Sequence, residues 1–427
     1  MAPADGSDQL RRRYAAQPFL MAPMAGVTDA AYRIMARRRG ATTCSTEMVS
    51  TAAIAYGNEK TWRLVDPEPE EPQIVVQLFG SKPGCFARAA AAVEERVGEK
   101  LTAIDINMGC PARKVASKGE GAALLGEPEL AEAIVRATVD AVDVPVMVKM
   151  RSGLHAGGTP APELAARFEQ AGACAVAVHG RTADEQYMGH ADWGVIDEVA
   201  ARVEIPVIGS GDVFCAADAV RMLTTTAAEA VYIARGTYGD PWVFGDALAL
   251  LRDGAEPPEL RPAGERLDAL REHLTLLHET QIYMARARTF GPFYLKGMPH
   301  ASYWRHRIMD CRTYEEYLAL VDDIEADVAA CERFEEAGMG VPPAPVVDHG
   351  VGLVYDTPKR HAVSEEGRAW QAGHVQAARA EPAAEDVDAS APDDEDGEGT
   401  AEAIAEAAAD APAATDAPAA APAPAEA

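Results

Sequence analysis

Residues 103–111 read Ala-Ile-Asp-Ile-Asn-Met-Gly-Cys-Pro, an apolar run that breaks abruptly in a Gly-Cys-Pro turn. Such a run predicts a buried strand that delivers Cys110 to the C-terminal lip of a parallel sheet, where α/β proteins keep their chemistry. Gly109 lets the backbone bend, and Pro111 fixes φ and removes a donor just after the thiol. A small buried thiol can simply pack. Here Arg113, Lys114 and Lys118 follow it, a setting that favours a reactive cysteine. Other polar residues end or interrupt apolar runs in the same way. Gln77 lies inside one and, as a polar group in a core, needs a partner. Asn107, Lys149, Arg151 and His179 lie at or near the ends of three more. Gly209-Ser210-Gly211-Asp212 and Ala234-Arg235-Gly236 are glycine-bearing turns, where backbone N–H groups can cradle a phosphate. An amide, a cation and an imidazole around one cavity suit a flat, hydrogen-bonding, phosphate-bearing cofactor. Flavin mononucleotide fits that set better than a metal, because Asp, Glu and His do not recur at ligand spacing.

The elements that must position these groups alternate from about residue 18 to 250. Strand-like runs cover 18–25, 42–49, 73–80, 103–107, 145–150, 174–179, 206–209 and 230–234, with Ala-rich helical stretches such as 84–97, 127–141, 162–171 and 215–223 between them. Eight alternations predict a (β/α)8 TIM barrel, an α/β fold, over residues 14–250. A doubly wound open sheet is the alternative; no G-x-G-x-x-G follows the first strand to support it. Residues 263–336 change to apolar recurrence at three and four (Leu267, Leu270, Leu274, Leu277; Tyr317, Leu320, Val321, Ile324, Val328), which predicts a small all-helical domain. A proline-rich break at 341–345 opens a Pro/Ala-rich acidic tail, 341–427. Residues 381–427 hold no Lys, Arg or aromatic side chain and should stay disordered, with a short helix expected around 365–378.

The formal charge of −28 at first argues against a polyanionic partner. The 341–427 segment carries 18 acids against 4 bases, so half of the excess lies there and the remaining 340 residues carry −14. Any polyanion must then meet local patches: Arg11–Arg13, Arg37–Arg39, the Arg113/Lys114/Lys118 group, or Arg305 with Arg307. Seven cysteines, without a CxxC pair, indicate neither a disulfide framework nor a structural zinc site. No signal-like start and no long apolar run is present, so neither secretion nor a membrane span is expected, and a cytoplasmic setting is.

Over residues 18 to about 335 the chain resembles the tRNA-dihydrouridine synthases, the FMN-dependent bacterial type. The carrying motifs are Ala22-Pro23-Met24-Ala25-Gly26-Val27-Thr28-Asp29, Gln77-Leu78-Phe79-Gly80, Asn107-Met108-Gly109-Cys110-Pro111, Val148-Lys149-Met150-Arg151, and His179-Gly180-Arg181-Thr182 followed by Tyr187, Gly189 and Ala191-Asp192-Trp193. The resemblance implies an NAD(P)H:tRNA-uridine reductase, expected as a monomer without metal, that uses FMN and NADPH to saturate the C5–C6 bond of a tRNA uridine. By the same resemblance Pro23, Met24 and Ala25 would lie along the flavin, and Gln77, Lys149 and His179 would contact its ring. Ser210, Gly211, Asp212, Ala234 and Arg235 would hold its phosphate end. Cys110 would be the general acid, Asn107 and Arg151 would lie near the uridine, and Lys296, Arg305 and Arg307 of the helical domain would grip the tRNA backbone. Ser210 and Ala234 stand where the family commonly has Asn and Gly, and the acidic tail has no counterpart in the family core. A related FMN barrel acting on a free pyrimidine or enone, and a non-catalytic RNA-binding barrel, are the competing readings. The helical domain and Cys110 weigh against the first, and the intact set of Gln77, Cys110, Lys149 and His179 against the second.

Overall fold

In the computed structural model, residues 3–158, 160–348 and 352–354 are described. Eight strands form one sheet: β1 (Phe19–Met21), β2 (Ser45–Ser50), β3 (Ile74–Phe79), β4 (Leu101–Met108), β5 (Val146–Arg151), β6 (Ala175–His179), β7 (Val207–Ser210) and β8 (Ala230–Ile233). Their order is β1-β8-β7-β6-β5-β4-β3-β2, every pairing parallel. A parallel bridge between Met21 and Cys44, just ahead of β2, joins the two outer strands and completes the ring. The (β/α)8 barrel expected from the alternation is therefore the fold.

Successive strand residues face opposite ways. In β4, Ile104, Ile106 and Met108 join the apolar layer under the helices, while Ala103 faces inward with Leu20, Val75, Met147, Ala175, Ala177, Ile208, Ala230 and Tyr232. Asp105 and Asn107 continue that inward row toward the C-terminal rim. Helices Pro83–Val97, Pro128–Val139, Ala161–Gln170 and Ala216–Thr225 lie close to where the periodicity predicts them.

The patterning assigned no helix before residue 18, yet Pro3–Ala16 is helical. Its two apolar anchors, Leu10 and Tyr14, are fully buried and belong to the inner cluster. Ser7 Oγ donates to the carbonyl of Cys174 at 2.9 Å, and Arg11 pairs with Glu229 at 3.0 Å. Those partners precede β6 and β8, so the helix lies across the N-terminal end of the barrel as a floor. The Arg11–Arg13 run thus lies on the floor, with Arg11 in an ion pair and Arg13 hydrogen-bonded to Gln73. The Arg37–Arg39 run is equally engaged. Arg37 donates to the carbonyl of Thr42 at 2.7 Å, Arg38 pairs with Glu70 (2.8 Å) and Glu272 (2.7 Å), and Arg39 pairs with Glu272 (2.5 Å). Neither run is the open polyanion patch that its composition suggested.

Helices Ala263–Glu279, Ala287–Tyr294, Ala301–Asp310 and Tyr314–Glu336 follow, the last started by a capping box of Thr313 and Glu316. They pack into the same apolar cluster as the outer barrel layer. At the join, His273 is stacked between Tyr32 (centroids 5.2 Å) and Phe290 (3.5 Å), and burial pushes its pKa down to about 3. The fold also gathers His300, Asp327 and Cys331, residues whose sequence spacing did not suggest a cluster. Asp327 accepts from the Trp304 indole at 2.6 Å and lies 2.9 Å from His300 Nδ1, while His300 Nε2 lies 2.7 Å from the carbonyl of Pro342. Past this point a short antiparallel pair, Val346–Asp348 with Gly352–Val354, stands inside the 341–427 stretch. The helix expected around 365–378 and the acidic tail lie outside the described residues. Among those described, no helix is long and apolar enough to cross a membrane.

Candidate active site

The C-terminal strand ends converge on one rim. The segment after β1 is pinned there. Thr28 Oγ1 accepts from Met24 N at 3.1 Å, and the Glu47 carboxylate of β2 accepts from Gly26 N at 2.6 Å. Glu47 also holds Arg286 of the helical region at 2.9 Å. Pro23, Met24 and Ala25 are left half-buried, a fixed apolar ledge at the rim.

Below the ledge the barrel interior is polar. Register pairs Gln77 of β3 with Asp105 of β4, and Asn107 of β4 with Lys149 of β5. Gln77 Nε2 donates to Asp105 Oδ2 at 2.7 Å, and Gln77 Oε1 accepts from Asn107 Nδ2 at 2.8 Å. Asn107 Oδ1 in turn accepts from the backbone N–H groups of Gly109 (3.2 Å) and Cys110 (3.0 Å). Gln77 therefore has its partner, and the partner is a carboxylate that sequence reasoning passed over. The signal existed: Asp105 is a charged residue inside a strand whose eight residues are all buried. Burial raises its carboxyl to about 7, against the opposing pull of Gln77 and Lys149. Burial likewise lowers the Lys149 ammonium to about 8, helped by Arg151 and opposed by Asp105 and Cys110.

That shift has a measurable sign. A raised carboxyl takes up a proton on folding between its ordinary 3.8 and about 7, so its contribution is fully present at low pH and lost as pH rises through that window. The stability of the native chain should fall relative to Asp105→Asn by at most about 1.4 kcal/mol per pH unit from pH ~4 to ~7. Urea unfolding of both proteins across that range checks it; a difference that does not vary with pH contradicts it.

Cys110 is half-buried, and burial raises its thiol above the ordinary 9.0, with the Ala112 N–H, Arg151 and Lys149 opposing. The cations that follow it in sequence, Arg113, Lys114 and Lys118, are exposed. The trio is not among the charges that act on the thiol; desolvation dominates, and the thiol stays protonated near neutrality. Arg151 braces the turn from β5: Nε donates to the carbonyl of Gly109 at 2.9 Å and Nη1 to those of Thr182 and Gln186, both at 2.8 Å. It is 2 % exposed, so its donors are spent largely on backbone.

On the far side of the rim, Gly211 (φ 110°) and Asp212 (φ 52°) both adopt left-handed backbone. A Cβ on Gly211 would lie 2.8 Å from the His179 ring, so only glycine lets this turn approach the imidazole. The Asp212 carboxylate turns toward Arg181, 2.7 Å away and 1 % exposed, and accepts from Ala191 N at 2.7 Å. The side chain that the resemblance assigned to a phosphate is thus occupied by an arginine, and what the turn can offer a ligand is backbone. Ser210 is buried at the end of β7, and Ala234 is partly exposed after β8. Arg235 lies over Tyr187 (4.9 Å) and Phe214 (5.0 Å), with Asp212 at 3.6 Å. Lys296 and Arg305 are exposed on the helical region. The segment that carries Lys296 abuts the loop after β8, where Tyr238 meets Phe293 at 4.8 Å.

The charge balance tests whether a flavin phosphate fits. Lys149, Arg151 and Arg235 each lie below their ordinary values, first through burial and then through one another or Arg181. His179 is driven far down by burial and then by Arg151, Lys149, Arg181 and Arg235, so it is neutral at pH 7. Arg181 Nη1 faces its Nε2 at 3.5 Å, which assigns the ring proton to Nδ1. Four crowded cations and few acids make a site for an anion with hydrogen-bond acceptors, which FMN satisfies.

Comparison with known proteins gives the same direction. A model described as dihydrouridine synthase (Dus) matches residues 20–330. The tRNA-dihydrouridine synthase B of Xanthomonas axonopodis pv. citri is 35% identical over 329 residues, 76% of this chain and 95% of that protein. That of Pseudomonas aeruginosa is 36% identical over 322 residues, 73% and 96% of the two chains, and a probable tRNA-dihydrouridine synthase 1 of Synechocystis is 35% identical over 315 residues, 73% and 87%. With a family match over most of its length, on a barrel whose rim carries this set of residues, the chain belongs to the dihydrouridine synthase family.

Proposed function

We propose that this protein reduces the C5–C6 bond of a uridine in tRNA, using FMN and NAD(P)H, with Cys110 as general acid. The observation that carries the reading is the Cys110 thiol, kept protonated by burial and braced in its turn by Asn107 and Arg151. Bound FMN, reduced by NAD(P)H, supplies a hydride to C6 of the uracil. Cys110 gives its proton to C5, a task that needs a thiol and not a thiolate at the start. Pro23, Met24 and Ala25 would bear on the flat face of the flavin, and Gln77, Lys149 and His179 on its hydrogen-bonding edge. Neutral His179 has one ring N–H to donate. Arg235, with the backbone of Ser210–Asp212 and Ala234, would meet the phosphate. A uracil stacked in folded RNA is out of reach of the rim, so the nucleotide must be extruded into the barrel. Helices within 263–336 form the tRNA-binding domain in this reading, with Lys296 and Arg305 on phosphates. A monomer in the cytoplasm, where tRNA and NADPH meet, suits it.

The test is nucleoside mass spectrometry of unmodified tRNA incubated with the flavin-loaded protein and NADPH. Dihydrouridine should form. Consumption of NADPH by free pyrimidines or enones, without product in tRNA, would overturn the reading in favour of a small-molecule reductase.

A further inference from the structure

The role of Cys110 leaves open what holds its turn in register. Asp105 is fully buried in β4, two residues before Asn107 on the same inward face; among the described residues its side chain hydrogen-bonds Gln77 alone, while its charge also acts on Lys149. From it a single file of hydrogen bonds runs to the thiol's own backbone: Asp105 Oδ2 from Gln77 Nε2, Gln77 Oε1 from Asn107 Nδ2, Asn107 Oδ1 from the N–H groups of Gly109 and Cys110. Each carboxamide in the file could in principle point either way, because its oxygen and nitrogen ends are nearly alike in shape. Once ionised, above the pKa of about 7 to which burial raises it, the Asp105 carboxylate at the end can only accept. It forces the NH2 of Gln77 toward itself and the carbonyl of Gln77 toward Asn107. The NH2 of Asn107 is then taken up, and its carbonyl must face the turn. The second oxygen, Oδ1, has no hydrogen-bond partner among the described residues, so nothing there competes for the file.

We propose that Asp105 is a positioning residue for proton delivery: its carboxylate sets the sense of the Gln77–Asn107 relay and so fixes the turn that presents Cys110. This rests on the reading of Cys110 as the acid. With the sense reversed, the NH2 of Asn107 would confront two N–H donors, and the turn would be released. The Ala112 N–H, which holds the Cys110 thiol pKa down, belongs to the same turn and would be released with it.

The experiment uses the full chain with its flavin, and reads both alkylation of Cys110 by iodoacetamide at pH 8 and single-turnover dihydrouridine formation on saturating tRNA. In Asp105→Asn the residue can donate or accept, and the relay loses its bias. Flavin absorbance and tRNA KM should be retained, product formation should slow about tenfold, and alkylation should slow about threefold. Asp105→Asn combined with Gln77→Glu moves the acceptor-only group one position along the file, so that Asn107 now donates to a carboxylate in place of the Gln77 carbonyl, and should return alkylation to the native rate. Alkylation and product formation within about twofold of native in Asp105→Asn, or a double variant no faster in alkylation than the single, would overturn the proposal. If Asp105→Asn does not fold, Gln77→Met cuts the file at its middle and must slow alkylation to the same extent; a native rate there overturns it equally. A native chain that forms no dihydrouridine would sink the functional reading alone, since the alkylation series judges the relay without it.

Discussion

Replacing Cys110 by alanine is expected to leave a flavin-bearing protein that takes electrons from NADPH at the native rate yet forms dihydrouridine about 10²–10⁴-fold more slowly. The size follows from what is removed. The other groups placed at the rim are Lys149, lowered to about 8, a neutral His179, and arginines that do not release protons in the working range. Lys149 could donate, but Asn107 and Arg151 hold the Cys110 turn, and among the described residues no side-chain hydrogen bond fixes the lysine in the same way. Because burial raises the thiol above 9.0, the native rate should fall as alkaline pH removes the proton. Stopped-flow absorbance of the flavin and mass spectrometry of the tRNA separate the two half-reactions. Native product levels in the alanine variant would remove Cys110 from the mechanism.

The second large effect belongs to Asp212. Its carboxylate neutralises Arg181, a guanidinium at 1 % exposure that also donates to the carbonyls of Met188 (2.9 Å) and Gly189 (2.7 Å). Asp212→Ala leaves that charge buried without its counter-ion, at a cost of about 3–5 kcal/mol. It also puts alanine at φ 52°, a conformation Asp and Asn tolerate better. The loops after β6 and β7 lose their common anchor, so flavin should be lost on gel filtration. Asp212→Asn keeps the backbone preference and should fall between the two. Urea unfolding and the ratio of flavin to protein absorbance measure both effects. Native stability in Asp212→Ala would show that Arg181 is neutralised by some other group.

Much of this was legible in the chain, for physical reasons that differ residue by residue. The barrel could be read because a parallel strand buried on both faces is a short apolar run, and eight such runs recur between helical stretches. Cys110 and Gln77 stood out as polar or reactive groups where apolar ones belong. The same rule applied to Asp105 would have found it, but the flanking Asn107 and Cys110 drew the reading. Arg181 and Asp212 are 31 residues apart, and nothing local announces that a carboxylate in a glycine turn will face a distant guanidinium rather than a ligand. The N-terminal helix escaped because two apolar anchors, Leu10 and Tyr14, are too few to make a periodic stripe. Arginine triplets looked like open patches because composition counts charges and does not see their partners.

The floor formed by that helix has a consequence for the order of events. Leu10 and Tyr14 close the N-terminal end against Leu20, Val75, Met147 and Tyr232, so reactants must come and go over the opposite rim. A nicotinamide donor and an extruded uridine would then compete for the same doorway and the same face of the chamber, and could not be resident together. The steady state should accordingly be ping-pong. Double-reciprocal plots against NADPH at several tRNA concentrations should give parallel lines, and excess NADPH should inhibit competitively with tRNA. Intersecting lines would mean that the two reactants reach the chamber by separate approaches.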